Sequence, residues 1–543
     1  MAILKKWADK SIKRAKRPEA VGVSSLELSA LVNDFLRSGL EIHSLMVMRR
    51  GKVAFEAFRA PYTPEMPHAM FSVSKSITSL AAGFAISEGL LALETPVLEI
   101  LPELRGYVPE EPDEQLERLT LRQLLAMTSG KSVPPMADKR KNRWLRDFAE
   151  APWRYPPGEG WNYHNENCHV VCAMLQRVSG MTVVDYLMPR LFEPLGIPRP
   201  FWETDGNGVE AGGWGISLTT ESFAKIMLCC QQGGVYQGRQ VIPADYIQEA
   251  TRRQTESGGA SAHGKVGYGL CFWMDLLPGS YRAEGVFSQL GLVFPDQGAC
   301  LVMTGGEIFS ADSLDCLFRH IPQLFLDENG PKPERVIDPA DIRLPPLPEL
   351  PRAPRSISLE QKLEGRIIRF SQQGPQSLPQ ALGYPVSVMP VAVFFMSAEK
   401  GGGINDLRFR FQTDTLQFSW SEGSERNTVL CGMDGRARRS LIRLGGMDFT
   451  VGCTAAWEGA SRLHVWLRPL ESVAQRRLTF IFSGSVVRML PRSSPGLSSI
   501  GKYLTGYIST LLPSALGGLM ASQASKLAQL AEPMHIGTVT KLK

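Results

Sequence analysis

Several signals that would assign this chain to a class at once are weak or missing. Its 543 residues carry a formal net charge of only +5, which by itself implies no nucleic-acid or membrane partner. The basic stretch from Met1 to Arg14 has no apolar core of signal-peptide length. The nine cysteines are odd in number and lack metal-ligand spacing, which fits a reducing compartment better than a disulfide framework. We therefore expect a cytoplasmic protein.

What the composition does contain is the material for large cores. Hydrophobic residues make up 43% of the chain and charged residues 21%, as in ordinary globular proteins. A length of 543 residues exceeds one usual domain, so two or three domains are expected.

The stretch from His68 to Leu80 carries the first chemistry. Apolar residues follow at helical spacing and predict a helix that ends near Gly89: Val73, Ile77, Leu80 and Phe84. Ser72 and Lys75 are three positions apart and so share a face of this helix. A serine hydroxyl needs a base to become a nucleophile, and a lysine with a lowered pKa can be that base. Ser-x-x-Lys also occurs by chance on solvated helices, so other motifs must support it.

A second motif follows a loop rich in proline and glycine. Tyr163 and Asn165 flank one residue just before a predicted helix that stops near Gly180, so both can project into one cleft. A lysine ammonium nearby would favour the phenolate of Tyr163, which makes this tyrosine a candidate general base. Asn165 offers both a donor and an acceptor for positioning.

Three further patterns help to place these motifs on elements. Residues 19–40 have the apolar spacing of a first helix. Two strands, Ser44 to Met48 and Lys52 to Phe58, flank a hairpin turn at Arg49 to Gly51. A short helix with a capping threonine runs from Thr120 towards Gly130.

Together, Ser72-x-x-Lys75 and Tyr163-x-Asn165 resemble the serine β-lactamase-like family. That family includes class C β-lactamases, related esterases, D-aminopeptidases and nylon-oligomer hydrolases. Supporting stretches resemble it in the same order, over about residues 20–325: Thr120 to Gly130, Gly212 to Leu218, the helix with Ile226 and Leu228, and Tyr268 to Trp273.

The resemblance implies both a fold and a reaction. The fold would be α+β, a β-lactamase/transpeptidase-like catalytic domain with an antiparallel sheet flanked by helices. Ser72 would attack a carbonyl of a small-molecule ester or amide and form an acyl-enzyme. Lys75 and Tyr163 would share the proton transfers, and Asn165 would orient the substrate and the lysine amine. Neither a metal nor an organic cofactor is implied.

The chain departs from the family at a third motif. Class C enzymes carry Lys-Thr-Gly on the strand beside the active site, and the best match here is Ala283-Glu284-Gly285. The glycine is kept, but the cation that would bind a substrate carboxylate is replaced by Ala283. This favours substrates without such a carboxylate. The backbone N–H of Val286 could still pair with that of Ser72 as an oxyanion hole, because that role needs no side chain.

The second half of the chain has a different period. Eight prolines between Pro331 and Pro354 suit an extended linker. Beyond them apolar residues alternate with polar ones, which predicts an all-β, barrel-like or sandwich domain: Leu407, Phe409 and Phe411, then Leu416, Phe418 and Trp420, then Leu463, Val465 and Leu467, then Leu478, Phe480 and Phe482.

These patterns divide the chain into five parts. They are a basic segment (1–19), a hydrolase-like domain (20–326), a proline-rich linker (327–362), a β-rich domain (363–492) and a helical or flexible tail (493–543). Residues 503–525 of the tail contain no charge and follow helical spacing, which favours packing on protein, with shallow membrane contact as the alternative.

Three alternatives to the interpretation as an esterase stay open. Within enzymes, the chain could be a peptidase acting on D-amino-acid peptides or a weak β-lactamase, which an ester-versus-amide panel would separate. Outside enzymes, it could be a catalytically silent binding or scaffold protein. A fluorophosphonate label on the serine would discriminate between an enzyme and such a protein.

Overall fold

The structure is a computed structural model in which the chain divides into two compact units, Met1–Pro345 and Pro346–Lys543. It describes residues 10–108, 113–132, 142–259, 261–327, 335–370, 386–387, 403–444, 447–473, 475–494, 496 and 532–541. Each unit is described by itself.

The first unit is built on a six-stranded antiparallel sheet. Its strands are β1 (Ile42–Arg49), β2 (Lys52–Phe58), β8 (Trp273–Met274), β9 (Tyr281–Gly285), β10 (Gln289–Phe294) and β11 (Ala299–Gly305), in the spatial order β2-β1-β11-β10-β9-β8. Shorter strands lie outside it: β3 (His68–Ala69), β4 (Phe201–Trp202), β5 (Ile216–Leu218), β6 (Val235–Tyr236) and β7 (Arg239–Gln240).

Helices cover both faces of this sheet. The α-helices of the unit are α1 (Ser25–Arg37), α2 (Val73–Ser87), α3 (Val97–Ile100), α4 (Glu114–Arg118), α5 (Leu121–Leu125), α6 (Trp144–Glu150), α7 (Asn165–Ser179), α8 (Val183–Leu187), α9 (Glu193–Leu195), α10 (Thr220–Gln231), α11 (Ala244–Ala250) and α12 (Ser310–Leu324). Short 3-10 or π turns occupy Pro18–Val21, Pro102–Tyr107, Met188–Phe192, His263–Lys265 and Pro339–Asp341.

The two faces of the sheet bury separate cores. Strand β1 shows the division, because Leu45 and Val47 pack with α1 and α12 while Met46 and Met48 pack with the core that holds α2 and α7. Alternate residues of a strand point to opposite faces, so a strand buried on both sides has no polar alternation. The predicted antiparallel sheet flanked by helices is confirmed.

The predicted boundary at residue 20 is wrong, because part of the N-terminal segment belongs to the first unit. Ile12 is only 2% exposed and lies in the same core as α2. Arg14 forms ion pairs with Glu56 and Glu221 at 3.0 and 2.9 Å. Basic residues alone therefore do not mark this segment as separate.

The predicted exposed linker, 327–362, is also corrected. Ile342 and Leu344 are buried against the core of α1 and α12, so this part belongs to the first unit. Leu350 donates its N–H to Thr454 at 3.5 Å within the second unit, where helix α13 (Ile357–Leu363) follows. Leucines and isoleucines between the prolines supply apolar surface that packs instead of staying extended in water.

The second unit is a closed β-barrel, which confirms the all-β, barrel-like prediction. Its strands are β12 (Arg366–Phe370), β13 (Ile404–Phe411), β14 (Thr415–Glu422), β15 (Glu425–Gly432), β16 (Arg438–Leu444), β17 (Met447–Glu458), β18 (Arg462–Pro469), β19 (Gln475–Ser483), β20 (Val486–Ser494) and β21 (His535–Lys541). They follow the order β15-β14-β13-β12-β21-β20-β19-β18-β17-β16, and a pairing of β15 with β17 closes the ring. Inward aromatic rings fill it: Phe409, Phe418 and Phe480 have centroids 5.0–5.8 Å apart.

The tail prediction, 493–543, is wrong at its last strand. His535–Lys541 forms β21 between β12 and β20. The alternation of apolar and polar side chains that would predict this strand is interrupted, because one inward position is Gly537. A Cβ there would lie 2.7 Å from the Ile368 side chain. The uncharged stretch 503–525 lies outside the described residues.

Among the described residues, no single helix has the length and apolar character to cross a membrane. One bent pair, Asn165–Ser179 with Val183–Leu195 at 69°, meets the length and composition requirement only when the two are taken together.

Candidate active site

Ser72 stands at the start of α2, immediately after a strained residue. Phe71 adopts a left-handed conformation with φ of 47°, which costs an L-residue roughly 1–2 kcal/mol. Strand β3 holds the preceding residues against β5, and the N–H of Met70 donates to the carbonyl of Ile216 at 2.9 Å. This tight turn leaves Ser72 only half-buried, although the rest of α2 from Val73 to Ala85 is buried.

The burial of α2 differs from the single apolar stripe that its sequence predicts. Its small polar residues face backbone carbonyls of other segments rather than solvent. Three hydroxyls donate to such carbonyls at 2.7–3.0 Å: Ser76 to Cys271, Thr78 to Gly212 and Ser79 to Leu270. A buried hydroxyl without a partner would be costly, so these bonds allow the helix to be surrounded.

Lys75 is a buried cation that contacts three oxygens of the site. Its side chain is 1% exposed, and burial lowers the pKa of Lys75 to about 8. Its Nζ lies 2.9 Å from Ser72 Oγ, 2.6 Å from Asn165 Oδ1 and 2.6 Å from the carbonyl oxygen of Gly213. A lysine held in this way has no carboxylate among its three contacts.

Tyr163 lies beside the lysine and belongs to an aromatic wall. The Nζ of Lys75 is 4.6 Å from the centroid of the Tyr163 ring, a cation–π distance that favours the ammonium and so opposes the effect of burial. Trp161, Tyr268 and Trp273 have ring centroids 5.4–6.1 Å from that of Tyr163. The wall is apolar and half-buried at both tryptophans.

The end of β9 meets the chain just before Ser72. A Cβ at Gly285 would overlap the carbonyl oxygen of Met70, so only glycine permits this approach. Two residues further on, the rings of Phe287 and Phe71 lie 5.2 Å apart. Val286 stands between these two contacts in the chain and is half-buried.

Strand β9 carries Ala283 at the position of the family's cation, and a neighbouring arginine is paired with carboxylates. Ala283 is 1% exposed and packs in the core that contains α2. Its neighbours Arg282 and Glu284 share the opposite face and form an ion pair at 2.7 Å. The guanidinium also pairs with Asp275 at 3.1 Å. The positive charge of Arg282 is therefore paired with two carboxylates.

Four of the six residues predicted for the site lie together: Ser72 and Asn165 contact Lys75 directly, and Tyr163 lies beside its Nζ. The other two, Gly285 and Val286, lie at the end of β9 and just after it, where Gly285 approaches Met70, two residues before Ser72. Sequence reasoning missed Gly213, whose carbonyl accepts from Lys75. The adjacent glycines Gly212 and Gly213 were the signal available in the sequence, because glycine permits a close approach of backbones. In the structure a Cβ at Gly213 would lie 2.6 Å from the Cα of Asn165.

One group of potential metal ligands lies elsewhere among the described residues. Asp34, Cys316 and His320 have donor atoms within 4.8 Å of one another on α1 and α12. Asp34 already pairs with Arg319 at 2.8 Å, so protonated partners satisfy this carboxylate. The group is not part of the Ser72 site.

Comparisons with known proteins identify the family of the chain. The model of the Beta-lactamase family matches residues 32–305, which is half of the chain. The chain therefore belongs to the Beta-lactamase family. The predicted resemblance to that family is confirmed.

Individual relatives match over part of their length. The 6-aminohexanoate-dimer hydrolase of Paenarthrobacter ureafaciens is 27% identical over 250 residues, 42% of this chain and 63% of that protein. The lovastatin esterase of Penicillium rubens is 30% identical over 148 residues, 23% of this chain and 37% of that protein. The esterase EstB of Burkholderia gladioli is 28% identical, over 33% of this chain and 53% of that protein. The matches to the first two thus span less than two thirds of those relatives.

Among solved structures, a penicillin-binding protein homologue from Pyrococcus abyssi has a TM-score of 0.44 and 15% identity. It covers 86% of this chain, and the alignment covers 97% of that protein.

Proposed function

We propose that this protein is a serine hydrolase that cleaves an ester or a small amide through an acyl-enzyme on Ser72. The observation that carries the proposal is the set of contacts at Lys75. Two of its three partners, Asn165 Oδ1 and the Gly213 carbonyl, are oxygens that can only accept hydrogen bonds.

Those contacts fix how a neutral Lys75 amine would be oriented towards Ser72. A neutral lysine has two N–H donors and one lone pair, and the two carbonyl-type oxygens take both donors. The lone pair then faces the remaining partner, Ser72 Oγ at 2.9 Å. Because burial lowers the pKa of Lys75 to about 8, a substantial fraction is neutral near pH 8. Lys75 is thus placed to take the hydroxyl proton as Ser72 attacks.

The developing negative charge would lie between two backbone donors. Ser72 caps the start of α2, where the helix field favours an anion, and its own backbone N–H is the first donor in the proposal. The N–H of Val286 is the second donor in the proposal, because Gly285 and Phe287 hold that segment against Met70 and Phe71. Two such donors stabilise a tetrahedral oxyanion more than the ground-state carbonyl.

Tyr163 completes the proton transfers in this scheme. Lys75 passes its proton towards the leaving group with Tyr163 beside it. The same pair then activates water to release the acyl group. Asn165 holds the amine through its side-chain oxygen and orients the substrate. Each proton taken from a nucleophile is returned to a leaving group, so no cofactor is needed.

Two features support an uncharged, partly apolar substrate. Ala283 provides no cation for a carboxylate, and Arg282 is committed to Asp275 and Glu284. The aromatic wall beside Tyr163 offers an apolar surface. The names of the relatives cover both an esterase and an amide-type hydrolase, so cleavage of D-amino-acid peptides or other small amides is the second candidate.

The test is a substrate panel with a matched variant. Wild-type protein and Ser72→Ala are compared on short-chain p-nitrophenyl esters, on small amides and on D-amino-acid p-nitroanilides. We expect ester hydrolysis that disappears in Ser72→Ala while circular dichroism stays unchanged. Faster turnover of the anilides would favour the peptidase, and retained activity in a folded Ser72→Ala would refute the nucleophile.

We also propose that the protein works in a reducing compartment such as the cytoplasm. All nine cysteines are free and buried, although Cys168 and Cys271 have sulfurs 3.7 Å apart. Fractionation of the producing cells tests this, and recovery outside the reducing compartments would contradict it.

A further inference from the structure

The turn that carries Val286 is strained, and one buried side chain braces it. This turn, Val286 to Ser288, joins β9 to β10. Phe287 and Ser288 have φ of 68° and 64°, a conformation that L-residues rarely adopt. Two such residues in succession cost roughly 2–4 kcal/mol, so the surrounding structure must hold them.

Gln289 supplies that support. Its side chain is fully buried, and its Nε2 donates to the carbonyl oxygens of Phe287 and Gly305, each at 2.9 Å. The carbonyl of Val286 lies 3.4 Å from the same nitrogen. Because all three neighbours are acceptors, the amide cannot rotate by 180° without placing its oxygen against carbonyls. Its orientation is therefore fixed.

The bracing connects the turn to the centre of the sheet. Gly305 ends β11, which pairs with both β1 and β10. The amide of Gln289 therefore links the turn of the oxyanion donor to an inner strand rather than to the sheet edge. The Oε1 of Gln289 is buried without a hydrogen-bond partner among the described residues. The chain keeps this unfavourable acceptor in place while Nε2 binds the turn at Phe287 and strand β11 at Gly305.

We infer that Gln289 is a positioning residue for the oxyanion hole. By fixing the carbonyls of Val286 and Phe287, it fixes the peptide planes on either side of Phe287. The Val286 N–H lies in the preceding peptide plane, where the pairing of Gly285 with Gln289 holds the chain on the other side. Between these two restraints the N–H is kept directed towards the carbonyl that Ser72 attacks. Gln289 itself touches neither substrate nor nucleophile. The inference rests on the proposed function, because it takes this N–H as an oxyanion donor.

The alternative is that Gln289 only satisfies buried carbonyls. In that case its loss would lower stability and leave the chemistry of the remaining folded protein unchanged. A positioning role predicts instead a loss that is confined to steps that form a tetrahedral centre on Ser72, because only those steps use the oxyanion hole.

The experiment replaces the amide with an apolar chain of similar length, Gln289→Met, in the full protein. Four quantities are measured: the rate of fluorophosphonate labelling, the affinity for phenylboronic acid, and kcat and KM for a p-nitrophenyl ester. Loss of one oxyanion donor costs about 100- to 1,000-fold, and displacement should cost less. We expect labelling, boronate affinity and kcat to fall by about ten- to a hundredfold, with KM within about twofold.

Ser288→Ala is the matched control. It lies in the same turn and loses a hydroxyl contact to Ser313 at 2.9 Å, but it leaves the Gln289 amide in place. We expect labelling within about twofold of wild type. Equal losses in the two variants would overturn the inference, because any disturbance of the turn would then suffice.

A second variant, Gln289→Glu, tests the positioning role if Gln289→Met does not fold. A protonated carboxyl retains one donor, whereas an ionised one faces three carbonyl oxygens. Labelling relative to wild type should therefore fall as pH rises. A constant ratio at every pH, or Gln289→Met that labels at the wild-type rate, would overturn the inference. Wild-type protein that never labels at Ser72 would instead refute the proposed function.

Discussion

The contact between Lys75 and Asn165 makes a prediction with a definite sign. If the neutral amine is the base, acylation of Ser72 rises with pH through the pKa of Lys75, which burial sets at about 8. Asn165 Oδ1 accepts from the amine at 2.6 Å and stabilises the ammonium more than the neutral form. Removing that acceptor in Asn165→Leu should therefore lower the pKa.

The size of the shift follows from hydrogen-bond energies. A bond to a charged group is worth about 1.5–3 kcal/mol, and a neutral one about 0.5–1.5 kcal/mol. The difference between the two protonation states is roughly 1–1.5 kcal/mol, or about one pKa unit. We expect the midpoint of the acylation profile to fall from about 8 to roughly 7 in Asn165→Leu.

An isosteric variant at the same position should move the midpoint the other way. Asn165→Asp places a carboxylate against the ammonium, and an opposite charge at this distance shifts a pKa by about 1–3 units. The midpoint should rise above 8, so that acylation at neutral pH becomes slower. A general disturbance of the site would not give shifts of opposite sign.

The assay is the second-order rate of fluorophosphonate labelling between pH 5 and pH 10, roughly the range that brackets an amine of lowered pKa. Wild type, Asn165→Leu and Asn165→Asp are compared at constant ionic strength, with circular dichroism at each pH as the control for folding. Midpoints that do not move, or that move in one direction for both variants, would refute Lys75 as the base.

Two further predictions concern specificity and domain organisation. Because Ala283 replaces a cation, a cephalosporin that carries a carboxylate loses a charged hydrogen bond worth about 1.5–3 kcal/mol. This protein should therefore turn it over about ten- to a hundredfold more slowly than a relative that has the lysine. Efficient hydrolysis of a chromogenic cephalosporin would contradict this. A chain ending at Pro345 keeps Ile342 and Leu344 in the first unit, whereas one ending at residue 327 loses two buried side chains worth roughly 1.5–3 kcal/mol each. Urea unfolding followed by circular dichroism should show the longer fragment to be more stable, and equal midpoints would count against the packing of this segment.

Local sequence signals predicted the elements around the site well. Arg50 and Gly51 form the expected hairpin turn with φ of 53° and 73°. Gly180 ends α7 with φ of 69°, as a glycine stop predicts. These features depend on neighbours within a few positions, which a single sequence displays directly.

Features that depend on distant segments could not be predicted. The burial of α2 needs carbonyls more than 130 positions away, such as that of Gly212 for Thr78. The contact of Lys75 with the Gly213 carbonyl also joins distant segments, and so, over 16 positions, does the bond from Gln289 to Gly305. The docked proline-rich segment was missed because composition describes stiffness but not the surface that the leucines meet.

The proposed reaction depends above all on an acyl group carried by Ser72. The direct measurement is the mass of the intact protein and of its Ser72-containing peptide after rapid acid quenching of a reaction with a p-nitrophenyl ester. We expect an adduct with the mass of the acyl group, located on Ser72 and missing from Ser72→Ala. Turnover of the ester with no adduct on Ser72, or with an adduct on another residue, would contradict it.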